Sequence, residues 1–131
     1  MDPLRTLVEK LVLLHTTHSG DDAREASRNA RHYYDVHQLL SRNDITQLLD
    51  SENVTVIAAD VFSYSILADR PVRSRPRNGF ARSPAFVSGS LLDVARASYE
   101  RQVIEQLVWP FANKPSFDAC LEIVVSFAAL L

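Results

Sequence analysis

Apolar residues return along most of this chain at spacings of three and four, and only three glycines, Gly20, Gly79 and Gly89, break the pattern. That spacing stacks side chains on one face of a helix, whereas a half-buried strand needs alternation with a period of two. Three glycines are also too few to punctuate the turns of a β fold. The sequence therefore predicts an all-α fold. With 131 residues, 47% of them hydrophobic, the chain is long enough to close one core. We expect a single domain over residues 1–131, a helical bundle of about five or six helices with a long Pro/Arg-containing loop.

Asp2 followed by Pro3 marks a helix start, because the first turn has no use for the N–H that proline lacks. Leu4, Leu7, Val8, Leu11 and Leu14 then make one stripe that ends before Ser19-Gly20. Asp22 and Glu25 have the spacing of a capping box and open a second helix through about Leu40, its inner face carrying Ala26, Ala30, Tyr33, His37 and Leu40. Asn43 is suited to cap a short third helix around Ile45 to Leu49. Val54 to Leu67 reads as a fourth, although it opens on strand-favouring residues. Pro71, Pro76 and Pro84, with Gly79, exclude a regular helix between Asp69 and Gly89 and imply a long loop. Ser90 and Asp93 repeat the capping-box spacing, starting a helix through Tyr99 and Ile104 toward Trp109-Pro110. Pro115-Ser116 introduces the last helix, whose stripe is Phe117, Leu121, Val124, Val125 and Ala128.

A formal net charge of -2 gives no global basic field to hold nucleic acid, so any such contact must be local. Arg70, Arg73, Arg75, Arg77 and Arg82 form the local exception. Arg73, Arg75 and Arg77 are candidates to grip RNA backbone, with Phe80 and Phe86 nearby as a stacking surface; a solvated loop is the alternative. The single cysteine, Cys120, makes no internal disulfide and fits a reducing cytoplasm. No uninterrupted apolar run reaches roughly 18 residues and no signal-peptide core follows Met1, so a cytoplasmic protein without membrane contact is expected. His15 and His18 are close enough to share a metal but lack a third ligand, and read as polar residues at a helix end. No metal site is expected in the chain.

Arg31-His32-Tyr33-Tyr34-Asp35 is the strongest site candidate, since Arg31 and Asp35 lie one helical turn apart. Taken alone they would be an exposed i,i+4 pair worth roughly 0.2–0.5 kcal/mol. Glu9-Lys10-Leu11 precedes this segment, Leu92 to Ile104 follows it, and Lys114-Pro115-Ser116-Phe117-Asp118 closes the series. In that order and rough spacing, nearly the whole chain resembles the C-terminal helical part of the AbiEii/AbiGii-type nucleotidyltransferase toxins.

The resemblance implies that Lys10 approaches the triphosphate of a bound nucleotide, where a flexible ammonium neutralises charge. Asp35 would position the nucleotide or the attacking hydroxyl, with Arg31 holding that carboxylate or meeting phosphate. It also implies a nucleoside triphosphate and Mg for the complete enzyme, RNA as acceptor, an antitoxin partner or self-association, and a bacterial toxin–antitoxin or phage-defence setting. The family's catalytic half carries a Gly-Ser turn followed by strand carboxylates that bind two metals. Gly89-Ser90 is followed by no Asp-x-Asp pair, and Asp50-Ser51-Glu52 has no such turn before it. The expectation is a truncated form in which the catalytic N-terminal half is absent and which does not transfer nucleotides alone.

Two alternatives stand beside this. Arg31 and His37 are similar in spacing to the arginine and histidine of HEPN ribonucleases, small all-α proteins in which His37 would act as general acid or base and Arg31 would stabilise the phosphorane. The other is a non-catalytic interaction module.

Overall fold

Asp2 does cap the first helix, α1 (Pro3–His18), its side chain accepting the Leu4 amide at 3.0 Å. The computed structural model describes residues 2–70, 72–87, 89–102 and 115–131, and among these the chain is α-helical with no strand. The stripe of Leu7, Val8, Leu11 and Leu14 is fully buried. That burial makes α1 the central helix, packed against α2 (Ala23–Arg28), α3 (Arg31–Leu40) and α5 (Ser51–Leu67).

The single second helix expected from Asp22 to Leu40 is in fact two. Asp22 caps α2 by accepting the Glu25 amide, but the chain turns at Asn29 before α3 begins. Two hydrogen bonds account for the break. The Ser27 carbonyl, which would accept from Arg31 in a continuous helix, is taken by the Ser98 hydroxyl at 2.6 Å. Asn29 is buried and its amide donates to Thr17 Oγ1 at 3.1 Å, anchoring the turn to α1.

The short helix α4 (Asn43–Thr46) has Arg42 as its N-cap and no side-chain cap bond, so Asn43 does not cap as expected. Asp50 caps α5 by accepting the Asn53 amide at 2.7 Å, and the helix absorbs the strand-favouring residues from Val54 onward. Val54, Ala58, Val61 and Ser65 face α1 at helical spacing, which decides the conformation. After α5 the chain is irregular as expected, but it is not merely solvated. A 3-10 turn (Phe80–Arg82) drives Phe80, Ala81, Ala85 and Phe86 into the core. It is reached through Gly79 at φ 94°, where an added Cβ would lie 3.1 Å from the Leu131 carbonyl carbon.

Helix α6 (Leu92–Tyr99) starts from Leu91 without a side-chain cap, so the Ser90–Asp93 capping box is not formed. The chain stays helical in a wider π turn over residues 100–102, and the rest of the expected continuation, through Ile104 to Trp109, lies outside the described residues. Helix α7 (Phe117–Ser126) is capped by Ser116 and buries Phe117 and Val124 of the predicted stripe, but Cys120 joins them in the core while Val125 is 51% exposed. The Phe117 ring sets that rotation by seating between Tyr33 and Tyr99, with centroids 4.7 and 5.5 Å away.

Tyr33 is the hub of this core. Its hydroxyl donates to the Ala85 carbonyl at 2.6 Å, and its ring meets His18, Phe86 and Phe117. Because that hydroxyl proton is committed, the His18 Nε2 at 3.2 Å must be the donor, which assigns His18 the Nε2–H tautomer. Its buried Nδ1 is then a bare acceptor, without a partner among the described residues.

Candidate functional site

On α1, Lys10 comes three residues after Leu7 and four before Leu14, so the buried stripe that docks α1 also carries Lys10 along the edge facing α3. On α3, His32 and Asp35 are one turn apart and share a face. The three side chains converge. Lys10 Nζ donates to Asp35 Oδ2 at 3.0 Å and lies 3.2 Å from His32 Nδ1, which is itself 3.3 Å from the same Asp35 oxygen. The side chains are 24%, 38% and 14% exposed for Lys10, Asp35 and His32. Partial burial pushes the Asp35 pKa upward, but the close polar contacts to His32 and Lys10, with the Lys10 charge, outweigh it and hold the carboxyl below its usual range. Asp35 is thus an anion at neutral pH, able to accept but not to donate.

Arg31 lies at the exposed start of α3 and makes no hydrogen bond or ion pair among the described residues. The expected i,i+4 pair with Asp35 is replaced by the contact to Lys10, because Asp35 turns inward toward α1. His37, by contrast, has a buried Nδ1, and burial lowers its pKa. Arg31 and His37 therefore occupy different environments and form no joint site within the chain.

The arginines after α5 divide into two kinds. Arg75 is built into the fold: its Nε donates to the Leu131 carbonyl at 2.7 Å and its guanidinium sits over the Phe80 ring at 5.9 Å. Arg73 and Arg77 are exposed, with Arg73 anchored through its backbone amide to Thr16 Oγ1 at 2.8 Å. Together with His15 they line an open depression of about 510 Å³. The predicted stacking surface does not exist there, since Phe80 and Phe86 are 0% and 4% exposed and fill the core. Thr16 and Lys10 are six positions apart on α1, about 120° around the helix, so the arginines and the Lys10 cluster lie on different flanks.

His15 and His18 lie in the last turn of α1, as expected, but are buried in the core. His15 Nδ1 contacts Ser83 Oγ at 2.7 Å, and burial, reinforced by the charge of Arg73, lowers its pKa. Burial lowers His18 further, to about 4. Cys120 is buried and its thiol is pushed up to about 11, so it is unreactive at neutral pH. His32 is the site residue that the reading of the sequence passed over; its i,i+3 spacing to Asp35 was the available signal.

No curated protein and no solved structure matches the chain. The family model for the nucleotidyl transferase AbiEii toxin, of a type IV toxin–antitoxin system, matches residues 1–122 and so takes in every residue of the Lys10, His32 and Asp35 cluster. On that match over nearly its whole length, the chain belongs to the AbiEii nucleotidyl transferase toxin family.

Proposed function

We propose that this chain forms the nucleotide-facing helical wall of an AbiEii-type nucleotidyltransferase and does not transfer nucleotides by itself. The observation that carries this is the 3.0 Å contact between Lys10 and Asp35, which brings two residues of separate helices into one partly open charged site. Lys10 would meet the triphosphate, Arg31 is exposed one turn from Asp35 for a second phosphate contact, and Asp35 would orient the nucleotide or accept the proton of an attacking hydroxyl. The described residues include no group of three or more His, Cys, Asp or Glu fit to hold a metal ion. Asp50, the first carboxylate of Asp50-Ser51-Glu52, caps α5. No step through Mg is therefore assigned to these residues, and the metal-binding carboxylates would come from a separate catalytic half.

RNA is the proposed acceptor, with Arg73 and Arg77 as backbone contacts on the flank beyond α1. The family's toxin–antitoxin description supports an antitoxin counterpart; a bacterial, cytoplasmic role in phage defence is part of the proposal. Titration of the chain with ATP, GTP, CTP and UTP by calorimetry tests the nucleotide wall. Binding of at least one is expected, and Lys10→Met should weaken it about tenfold or more, the equivalent of about 1.4 kcal/mol. Unchanged binding by Lys10→Met removes the reading, and transfer of labelled nucleotide to RNA by the chain alone removes its second half.

A further inference from the structure

An ammonium group carries three N–H donors. At Lys10 two acceptors lie within reach, Asp35 Oδ2 at 3.0 Å and His32 Nδ1 at 3.2 Å, which leaves one donor uncommitted among the described residues. The role of His32 turns on its tautomer. With the proton on Nδ1, the ring would donate to Asp35 across 3.3 Å but would set that hydrogen against the ammonium at the shorter 3.2 Å. With the proton on Nε2, Nδ1 accepts from Lys10 and no two donors face each other.

We propose that His32 is a positioning residue, whose Nδ1 lone pair holds the Lys10 ammonium beside Asp35 so that its third N–H is kept for a phosphate oxygen of the nucleotide. This rests on the reading of Lys10 as the triphosphate contact. Asp35 alone would hold Lys10 as an ion pair and cancel its charge; a neutral second acceptor fixes the ammonium without cancelling anything further. The side chain of Lys10 has a long flexible stem, and a phosphate that meets it already ordered loses less conformational freedom on binding. His32 is well placed to do this because its own ring is 14% exposed and held on a regular helix.

Two measurements on the full chain decide it. Long-range proton–nitrogen NMR of the unaltered protein should show His32 in the Nε2–H tautomer; the Nδ1–H tautomer overturns the proposal outright, whatever the variants do. Titrations with ATP, GTP, CTP and UTP should then show His32→Phe binding the tightest of the four about fivefold more weakly, the loss of one hydrogen bond of about 1 kcal/mol. His32→Gln, whose side-chain oxygen can accept in its place, should stay within about twofold of the unaltered chain. If His32→Phe binds as the unaltered chain does while Lys10→Met loses binding, His32 has no positioning role but the nucleotide wall stands. If Lys10→Met binds unchanged, or none of the four nucleotides binds the unaltered chain, the nucleotide wall itself falls. The tautomer decides alone where His32→Phe does not fold.

Discussion

Two charged regions flank α1, and they are built on opposite principles. Lys10, His32 and Asp35 sit on regular helices whose inner faces are fully buried, so the positions of their backbones follow from core packing. Arg73 and Arg77 sit on an irregular segment held by single contacts, the Arg73 amide to Thr16 and the Arg75 guanidinium to Leu131. The first region pairs its charges across two helices; the second leaves two of its cations in solvent. A paired cluster on rigid elements suits orientation of a reacting group, whereas exposed arginines on a loop suit a contact that tracks a flexible polyanion.

The contrast is broken most severely by removing what makes the first region rigid. Tyr33 lies between His32 and Asp35 in sequence but points the other way, into Phe86 and Phe117. Tyr33→Ala should cost about 3–5 kcal/mol in urea denaturation, the usual loss for a large buried ring. Tyr33→Phe keeps the ring but strands the Ala85 carbonyl and the His18 Nε2–H, and should cost about 1–3 kcal/mol. A loss under about 0.5 kcal/mol for Tyr33→Ala would mean that α3 is not anchored through this core, and the comparison would lose its premise.

Acid separates the core from the site by pH. His18 titrates near 6.5 when unfolded and near 4 in the fold, so unfolding takes up a proton between those values. Its contribution is fully present above pH 6.5 and is lost as pH falls toward 4, amounting to roughly 3 kcal/mol. His15 and His37, also lowered, act in the same direction, so His18→Gln should flatten the decline without abolishing it. Asp35 behaves as a depressed carboxylate: its contribution is present above the ordinary carboxyl range and is lost as pH falls through its lower folded value. Asp35→Asn should therefore leave the slope between pH 6.5 and about 4 as it is and change it only below. A stability profile recorded by thermal melts at stepped pH reads both, and a His18→Gln profile that matches the unaltered one would deny His18 its buried, neutral state.

How far these regions could be read from the sequence follows from the range of the interactions that make them. The α1 stripe and its Asp-Pro start are local, and they were legible residue by residue. The break between α2 and α3 was not, because it depends on Ser98 taking the Ser27 carbonyl from 71 residues away. The rotation of α7 was hidden for the same reason: helical spacing offered Leu121 and Val125 beside Val124, and the stacking of Phe117 between two distant tyrosines turned Cys120 inward with Val124. Lys10 and Asp35 were singled out by resemblance to a family, but spacing along the chain suggested Arg31 as the partner of Asp35 and left His32 unassigned. Charge pairs across helices are set by packing, which the spacing within either helix does not encode.

The smallest effects distinguish the arginines from one another. Arg75 and Arg77 are two residues apart and alike in type, yet Arg75 closes the chain end onto the 3-10 turn while Arg77 is exposed. Arg75→Gln should cost about 1–2 kcal/mol, because it strips a charged donor from the Leu131 carbonyl and uncovers the face of Phe80. Arg77→Gln should change stability by less than about 0.5 kcal/mol, as should Arg73→Gln, whose anchoring bond uses the backbone and survives the substitution. If the exposed pair contacts RNA, the combined variant should flatten the dependence of RNA binding on salt, because fewer counterions are released from the phosphates. Nucleotide affinity at Lys10 should stay as it was, since the two flanks are separate. A combined variant that loses both together would show one continuous surface around α1 in place of two.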